Sequence, residues 1–180
     1  MTRADATRLR SGTGGYSLKM DGESQSWGDA LSLGVVAGIA GTAVMTAFQK
    51  LVEMPITGRG DSFAPADFAE KVLPVKAGSD SARRRLNYAT HFFLGTGWGA
   101  AYAIAAKSGL RGQPAVAATF AAMYTGDLLI NTVLGLYEPT KWSLQDTLLD
   151  VGEKLLQAEA TGIIFDVARD RASHSAPAGS

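Results

Sequence analysis

Ala30 to Phe48 reads ALSLGVVAGIAGTAVMTAF, 19 residues without a charge. As an α-helix it would be about 30 Å long, the thickness of the hydrocarbon core of a bilayer. Trp27 stands just before it, where an aromatic side chain would lie at the headgroups. Gly34 and Gly38 form a GxxxG pair, and Ala37 and Gly41 repeat the small-xxx-small spacing. In lipid, small residues at that spacing let two helix backbones approach closely. In a water-exposed helix each glycine costs about 1 kcal/mol relative to alanine. So many on one face therefore need a packing reason. The stretch predicts a transmembrane helix; a Gly-rich core helix of a soluble protein is the alternative.

Two further runs share this character. Leu86 to Ala106, LNYATHFFLGTGWGAAYAIAA, has 21 residues without a charge and follows Arg83, Arg84 and Arg85. Gly112 to Tyr137 has 26 residues with one charge, Asp127, and ends between the aromatic residues Tyr137 and Trp142. The short loop from Lys107 to Arg111 makes these two helices antiparallel neighbours. A fourth segment, Ser143 to Arg169, opens with a capping box, Ser143-x-x-Asp146. It carries an apolar stripe through Leu144, Leu148, Val151, Leu155, Ala158, Gly162 and Phe165, with Asp146, Asp150, Glu153 and Gln157 opposite. Each central charge would cost about 2.5–3.5 kcal/mol on an isolated inserted helix. A surface helix would carry bases toward anionic headgroups, and Lys154 is the only internal base here. The acidic face therefore turns inward in a fourth span, or the helix docks on the protein outside the membrane.

The fold class expected is all-α, a polytopic membrane helix bundle with four transmembrane helices, or three plus a docked helix. Residues 1–28 read as a flexible polar tail, 29–170 as the helical membrane domain and 171–180 as a disordered tail. Residues 50–85 read as a charged connector, in which Pro55, Gly58 and Gly60 stop the first helix. Pro65 to Leu73 forms a short amphipathic helix within it. The charged start is too long for a secretory leader, and no small-x-small site follows the first run. Under four spans each side holds eight basic residues, so the positive-inside rule leaves orientation open.

The composition excludes several functions. Seventeen basic residues balance 17 acidic ones, which gives no phosphate-tracking surface and no nucleic-acid partner. There is no cysteine, hence no disulfide, thiolate nucleophile or Cys-ligated zinc. Two histidines, His91 and His174, do not make a multi-His metal site. The glycines from Gly95 to Gly99 lack the spacing and lysine of a phosphate loop. Arg59-Gly60-Asp61 spells an adhesion tripeptide, read here as coincidence. No cofactor, metal or catalytic residue is expected.

Chemistry is confined to polar residues inside the runs. Asn87, His91, Gly95 and Gly99 share a stripe of the second run, and Tyr124, Asp127, Asn131 and Gly135 a face of the third. Thr42, Met45, Thr46 and Gln49 do likewise in the first. Polar atoms in hydrocarbon need partners, so these stripes should face one another. The candidate polar core is Asn87, His91, Asp127 and Asn131; helix packing is assigned to Gly34, Gly38, Gly41, Gly95 and Gly99. Asp127 should point inward, with His91 or Asn87 among its neighbours and a polar residue of the last helix as a further candidate. The pair reads as an interhelical hydrogen bond that fixes register; the alternative is a proton relay with His91, which titrates near neutral pH.

Three places carry a family resemblance. They are Gly38-Ile-Ala-Gly41-Thr42-Ala-Val-Met45-Thr46-Ala-Phe48-Gln49, His91-Phe92-x-x-Gly95-Thr96-x-x-Gly99 followed by Tyr102, and Gly135-Leu136-x-x-Pro139 leading through Trp142. Over residues 30 to 168 the chain resembles the YagU-like bacterial inner-membrane proteins. The resemblance implies a four-helix, multi-pass inner-membrane protein and supplies no catalytic residues. The function expected is a non-catalytic membrane protein that scaffolds or joins a partner, itself a homo-oligomer or another membrane protein. The alternatives are a proton- or small-solute-conducting bundle built around His91 and Asp127, and a soluble helical protein.

Overall fold

A computed structural model describes residues 26–175. All regular structure among these residues is helical: α1 (Trp27–Phe48), α2 (Met54–Thr57), α3 (Ala64–Val72), α4 (Asp80–Lys107), α5 (Gln113–Val133) and α6 (Leu144–Ser175). A π-helical turn, Gln49–Glu53, joins α1 to α2, and a 3₁₀ turn, Pro139–Lys141, precedes α6.

Local chemistry sets the ends of these elements. Ser26 accepts a hydrogen bond from Asp29 N at 3.1 Å, and Ser79 accepts one from Ala82 N at 3.2 Å, capping α1 and α4. At α6, Ser143 and Asp146 cap each other's backbone N–H reciprocally, both at 3.1 Å. α5 ends at Val133, and just beyond it Gly135, with a φ of 72°, lets Leu136 N donate back to Asn131 O at 2.8 Å. With that left-handed residue closing it, the helix stops at Val133, four residues before Tyr137 and short of the length expected. Pro55 does not stop the first helix. The wider π turn before it absorbs the missing N–H, and the helical path runs on to Thr57, where Gly58 at φ 70° ends it.

The tails differ from expectation at their inner edges. Trp27 and Gly28 belong to α1, because Ser26 caps it there. Arg171 to Ser175 continue α6 rather than forming part of a disordered tail. The remainder of the two expected tails, residues 1–25 and 176–180, lies outside the described residues.

α1 packs most extensively against α4 and then α6; α5 lies against α4 and α6, and α3 lies across α4. The connector, the start of α4, the end of α5 and the start of α6 share one end of the bundle. The opposite end holds the packed core: Ala37, Trp98, Tyr102, Ala103, Ala115, Val116, Ala158 and Phe165. There Gly34 and Gly38 of α1 lie directly on Gly99 and Gly95 of α4. A Cβ added at any of these four would fall inside van der Waals contact with backbone or a side chain of the facing helix. Gly41 meets Thr161 and Gln157 of α6 in the same way.

The residues α1 buries are small or polar: Ala30, Gly34, Ala37, Gly38, Gly41, Thr42 and Met45. Its Val35, Val36, Ile39 and Val44 are exposed. The first half of α6 follows the same rule, with Leu144 and Leu148 outward and Asp150, Glu153 and Gln157 turned toward other helices. Two helical stretches, Trp27–Thr57 and Gln113–Val133, are long and apolar enough to cross a membrane.

Candidate functional site

Between the helices, in the half of the bundle nearest the connector, lies a cavity of about 410 Å³. Its walls come from every long helix. Thr46, Gln49 and Glu53 belong to α1 and the π turn, and His91 and Trp98 to α4. α5 supplies Gly126, Asp127 and Asn131; α6 supplies Asp150, Glu153, Lys154 and Gln157. Arg59, Asp61, Ser62 and Phe68 cover the mouth. The close glycine contacts set this shape. Where Gly34, Gly38, Gly95 and Gly99 meet, no space remains between α1 and α4. Beyond Thr42 the side chains are longer and polar, and the helices enclose a void.

Lys154 dominates the electrostatics. Its ammonium lies 3.0 Å from Asp127 Oδ2 and pairs with Asp150, one turn earlier on α6. It also lies 5.3 Å from the ring centre of Tyr124 and 5.6 Å from that of Tyr137, within cation–π range. Asn131 Nδ2 donates to Asp127 Oδ1 and to Asp127 O, both at 2.9 Å. Asp127 therefore faces an opposite charge with one carboxylate oxygen and accepts from an amide with the other. Its ion-pair partner comes from α6, and neither His91 nor Asn87 is among its hydrogen-bond partners. A full positive charge within reach holds a carboxylate more strongly than a neutral imidazole does.

His91 lines the same cavity but bonds to α1. Its Nε2 is 3.3 Å from Thr46 Oγ1. The single hydroxyl proton of Thr46 goes to Thr42 O at 2.8 Å. Nε2 must then carry the hydrogen of this bond, which leaves Nδ1 as the ring's acceptor when the imidazole is neutral. The pair has the outline of a hydroxyl nucleophile beside a base, yet the proton points the wrong way for activation.

Asn87 has a different place from the one its stripe suggests. It sits at the mouth, where Oδ1 accepts from Ala66 N and Nδ2 donates to Ser62 O, each at 3.0 Å. It ties α3 and the connector to α4, because the carboxamide offers both a donor and an acceptor to loop backbone.

The sequence reading did not assign Lys154, Glu53, Glu153 or Gln157 to the site. Gln49 Nε2 donates to Glu153 Oε2, and Gln157 Nε2 donates to Thr42 Oγ1 at 2.8 Å. Glu53 is 6 % exposed, accepts from Thr57 Oγ1 at 2.8 Å and faces Arg59 Nη1 at 3.7 Å. The usable signal was the polar face of α6, which the sequence reading turned inward without pairing its residues individually with those of α1 and α5. Among the described residues no cluster of three or more His, Cys, Asp or Glu side chains is placed to hold a metal ion.

Comparison with protein-family models, with curated proteins and with solved structures returned no match.

Proposed function

We propose that the chain is a four-span membrane protein that binds a small solute in a polar cavity reached from the connector end. The observation that carries this reading is the inversion of the bundle. Large apolar side chains point outward around its middle, with Val36 61 % and Phe93 71 % exposed, while the charged trio Asp127, Asp150 and Lys154 is turned inward. In water, such a surface would be a large unpaired apolar patch. In lipid it meets the acyl chains, and the inward charges find the partners that hydrocarbon denies them. α4 and α6 fall short of the apolar character of α1 and α5, and their place in the membrane follows from packing polar faces against those two.

The glycine surfaces favour a solute site over a scaffold. Gly34, Gly38, Gly95 and Gly99 are consumed by contacts within the chain, so the small-residue stripes are not free to recruit another helix. The cavity is the feature that this packing leaves over. The far half of the bundle is closed by Tyr102, Val116 and Phe165, so the cavity does not run the length of the bundle. It suits binding, or passage that requires the closed half to open, and it is not a standing pore.

The absence of native cysteine permits a direct test. Single variants Gly126→Cys, inside the cavity, and Val36→Cys and Phe93→Cys, on the outer surface, are made in membrane vesicles. A hydrophilic, membrane-impermeant maleimide should label Gly126→Cys from one side only and spare the other two. Ready labelling of Val36→Cys and Phe93→Cys, or release of the chain by carbonate washing, would refute the membrane reading. A sealed Gly126→Cys from both sides would refute the accessible cavity.

A further inference from the structure

Resting on the reading of this cavity as a solute site, we infer that its ligand is a small organic cation, an amine or quaternary ammonium. The cavity already displays how such a group is held. The Lys154 ammonium is seated between the carboxylates of Asp127 and Asp150 and beside the rings of Tyr124 and Tyr137. That is the combination of negative charge and aromatic face by which ammonium ions are recognised.

Lys154 does not neutralise the site. Five carboxylates line the cavity, Glu53, Asp61, Asp127, Asp150 and Glu153, against three bases, Lys50, Arg59 and Lys154. Lys50 is committed to Asp61, and Arg59 is divided between Glu53 and Asp146, the latter at 3.6 Å. Lys154 serves two carboxylates at once. Glu153 is left with the neutral amide of Gln49 as its hydrogen-bond partner. An enclosed excess of negative charge is costly unless a cation shares the space. The lining also includes Trp98, Tyr88 and Phe68, aromatic side chains of the kind that suit the carbon shell of an organic cation. A metal ion would require three or more converging ligands, and among the described residues no His, Cys, Asp or Glu cluster of that size is placed to hold one. The volume of about 410 Å³ is at the small end of ligand pockets and fits a cation of a few carbon atoms.

The full-length chain in detergent is titrated with tetramethylammonium chloride, methylammonium chloride, sodium acetate and glycerol, with thermal unfolding as the readout at constant ionic strength. Tetramethylammonium or methylammonium should raise the midpoint saturably. Glu153→Gln should weaken that binding at least tenfold. In case Glu153→Gln disturbs folding, Gly126→Leu fills the cavity from a position whose Cβ meets nothing within 4 Å. That variant should unfold like the wild type and lose the response to both ammonium probes. Stabilisation by acetate or glycerol instead would keep a solute cavity and overturn the cation. An unchanged affinity in Glu153→Gln would also overturn the inference, since the charge would then be balanced by a proton on that carboxyl. No response to any probe overturns the cation as well, and the labelling of Gly126→Cys then decides whether the accessible cavity falls with it.

Discussion

Lys154 and Asp127, on α6 and α5, form an ion pair of 3.0 Å that joins the last two long helices through the wall of the cavity. The two side chains are 15 % and 27 % exposed, so water contributes little to either charge. The pair is not symmetric. Asp127 has Asn131 as a second partner, and Lys154 has Asp150. Lys154→Met would leave two carboxylates facing each other without a counter-charge. It should destabilise the fold by about 3 kcal/mol, at the lower edge of what orphaning a buried charge costs. Asp127→Asn leaves Lys154 its bond to Asp150 and should cost less than half as much. Reversible unfolding in mixed micelles measures both; equal losses would contradict this division of partners.

The glycines allow a prediction with opposite signs. A Cβ at Gly99 would overlap the carbonyl of Gly34, and one at Gly38 would overlap that of Gly95. Gly99→Ala and Gly38→Leu should both separate α1 from α4 and lower the thermal midpoint by many degrees. At Gly126 and Gly152 an added Cβ meets nothing within 4 Å. Alanine at either position should hold or raise stability, by up to about 1 kcal/mol from helix propensity. A Gly99→Ala variant as stable as Gly152→Ala would mean that the α1–α4 contact is misplaced.

The contrast between these glycines also marks what could be read from the chain. GxxxG spacing in the first run and the glycine stripe of the second are sequence features, and the first and third apolar runs give α1 and α5 within four residues, whereas α4 begins at Asp80, inside the expected connector, and α6 runs on to Ser175. Pairing of those stripes with each other was not legible, because small residues at one spacing fit any other small surface. Lys154 shows a second limit. As the only base on an acidic face it looked like an exception, and only the position of α5 turns it into the partner of Asp127. Asn87 shows a third. Its helical stripe points to His91, yet a loop that folds back across α4 supplies two backbone groups first. Contacts made by loops have no periodicity from which to infer them.

At the connector, Glu70 predicts a pH dependence. The backbone N–H of Ala77 donates to its carboxylate at 2.9 Å, and Lys76 lies 3.5 Å away. These hold the carboxyl below its usual range, the Ala77 bond contributing most. A carboxyl group depressed in the folded state stabilises above its unfolded pKa, and the contribution fades as pH falls through the lower folded value. The turn after α3 should stay closed at pH 6 and loosen below about pH 4, near the ordinary carboxylate value. Hydrogen exchange at Ala77 should accelerate relative to neighbouring amides over that interval. Glu70→Gln should remove the transition, and a wild-type profile in that variant would exclude Glu70 as its source.

The bond between Gln157 and Thr42 tests whether α1 and α6 are held by polar contacts or by shape alone. Thr42 is fully buried; its hydroxyl donates to Gly38 O at 2.8 Å and accepts from Gln157 Nε2 at 2.8 Å. Thr42→Val keeps the volume and removes both bonds, leaving the Gln157 amide, itself 4 % exposed, without its acceptor. A buried donor left unpaired costs about 1–3 kcal/mol in a protein interior. Interhelical hydrogen bonds in membrane bundles average about 0.6 kcal/mol. Gln157→Leu also loses the bond but replaces the amide with carbon, so no donor is orphaned. Thr42→Val should therefore be the more damaging single change. The double variant should lose less than the sum of the two, because the orphaned amide is then gone. Strict additivity in that cycle would show that Thr42 and Gln157 do not share a bond.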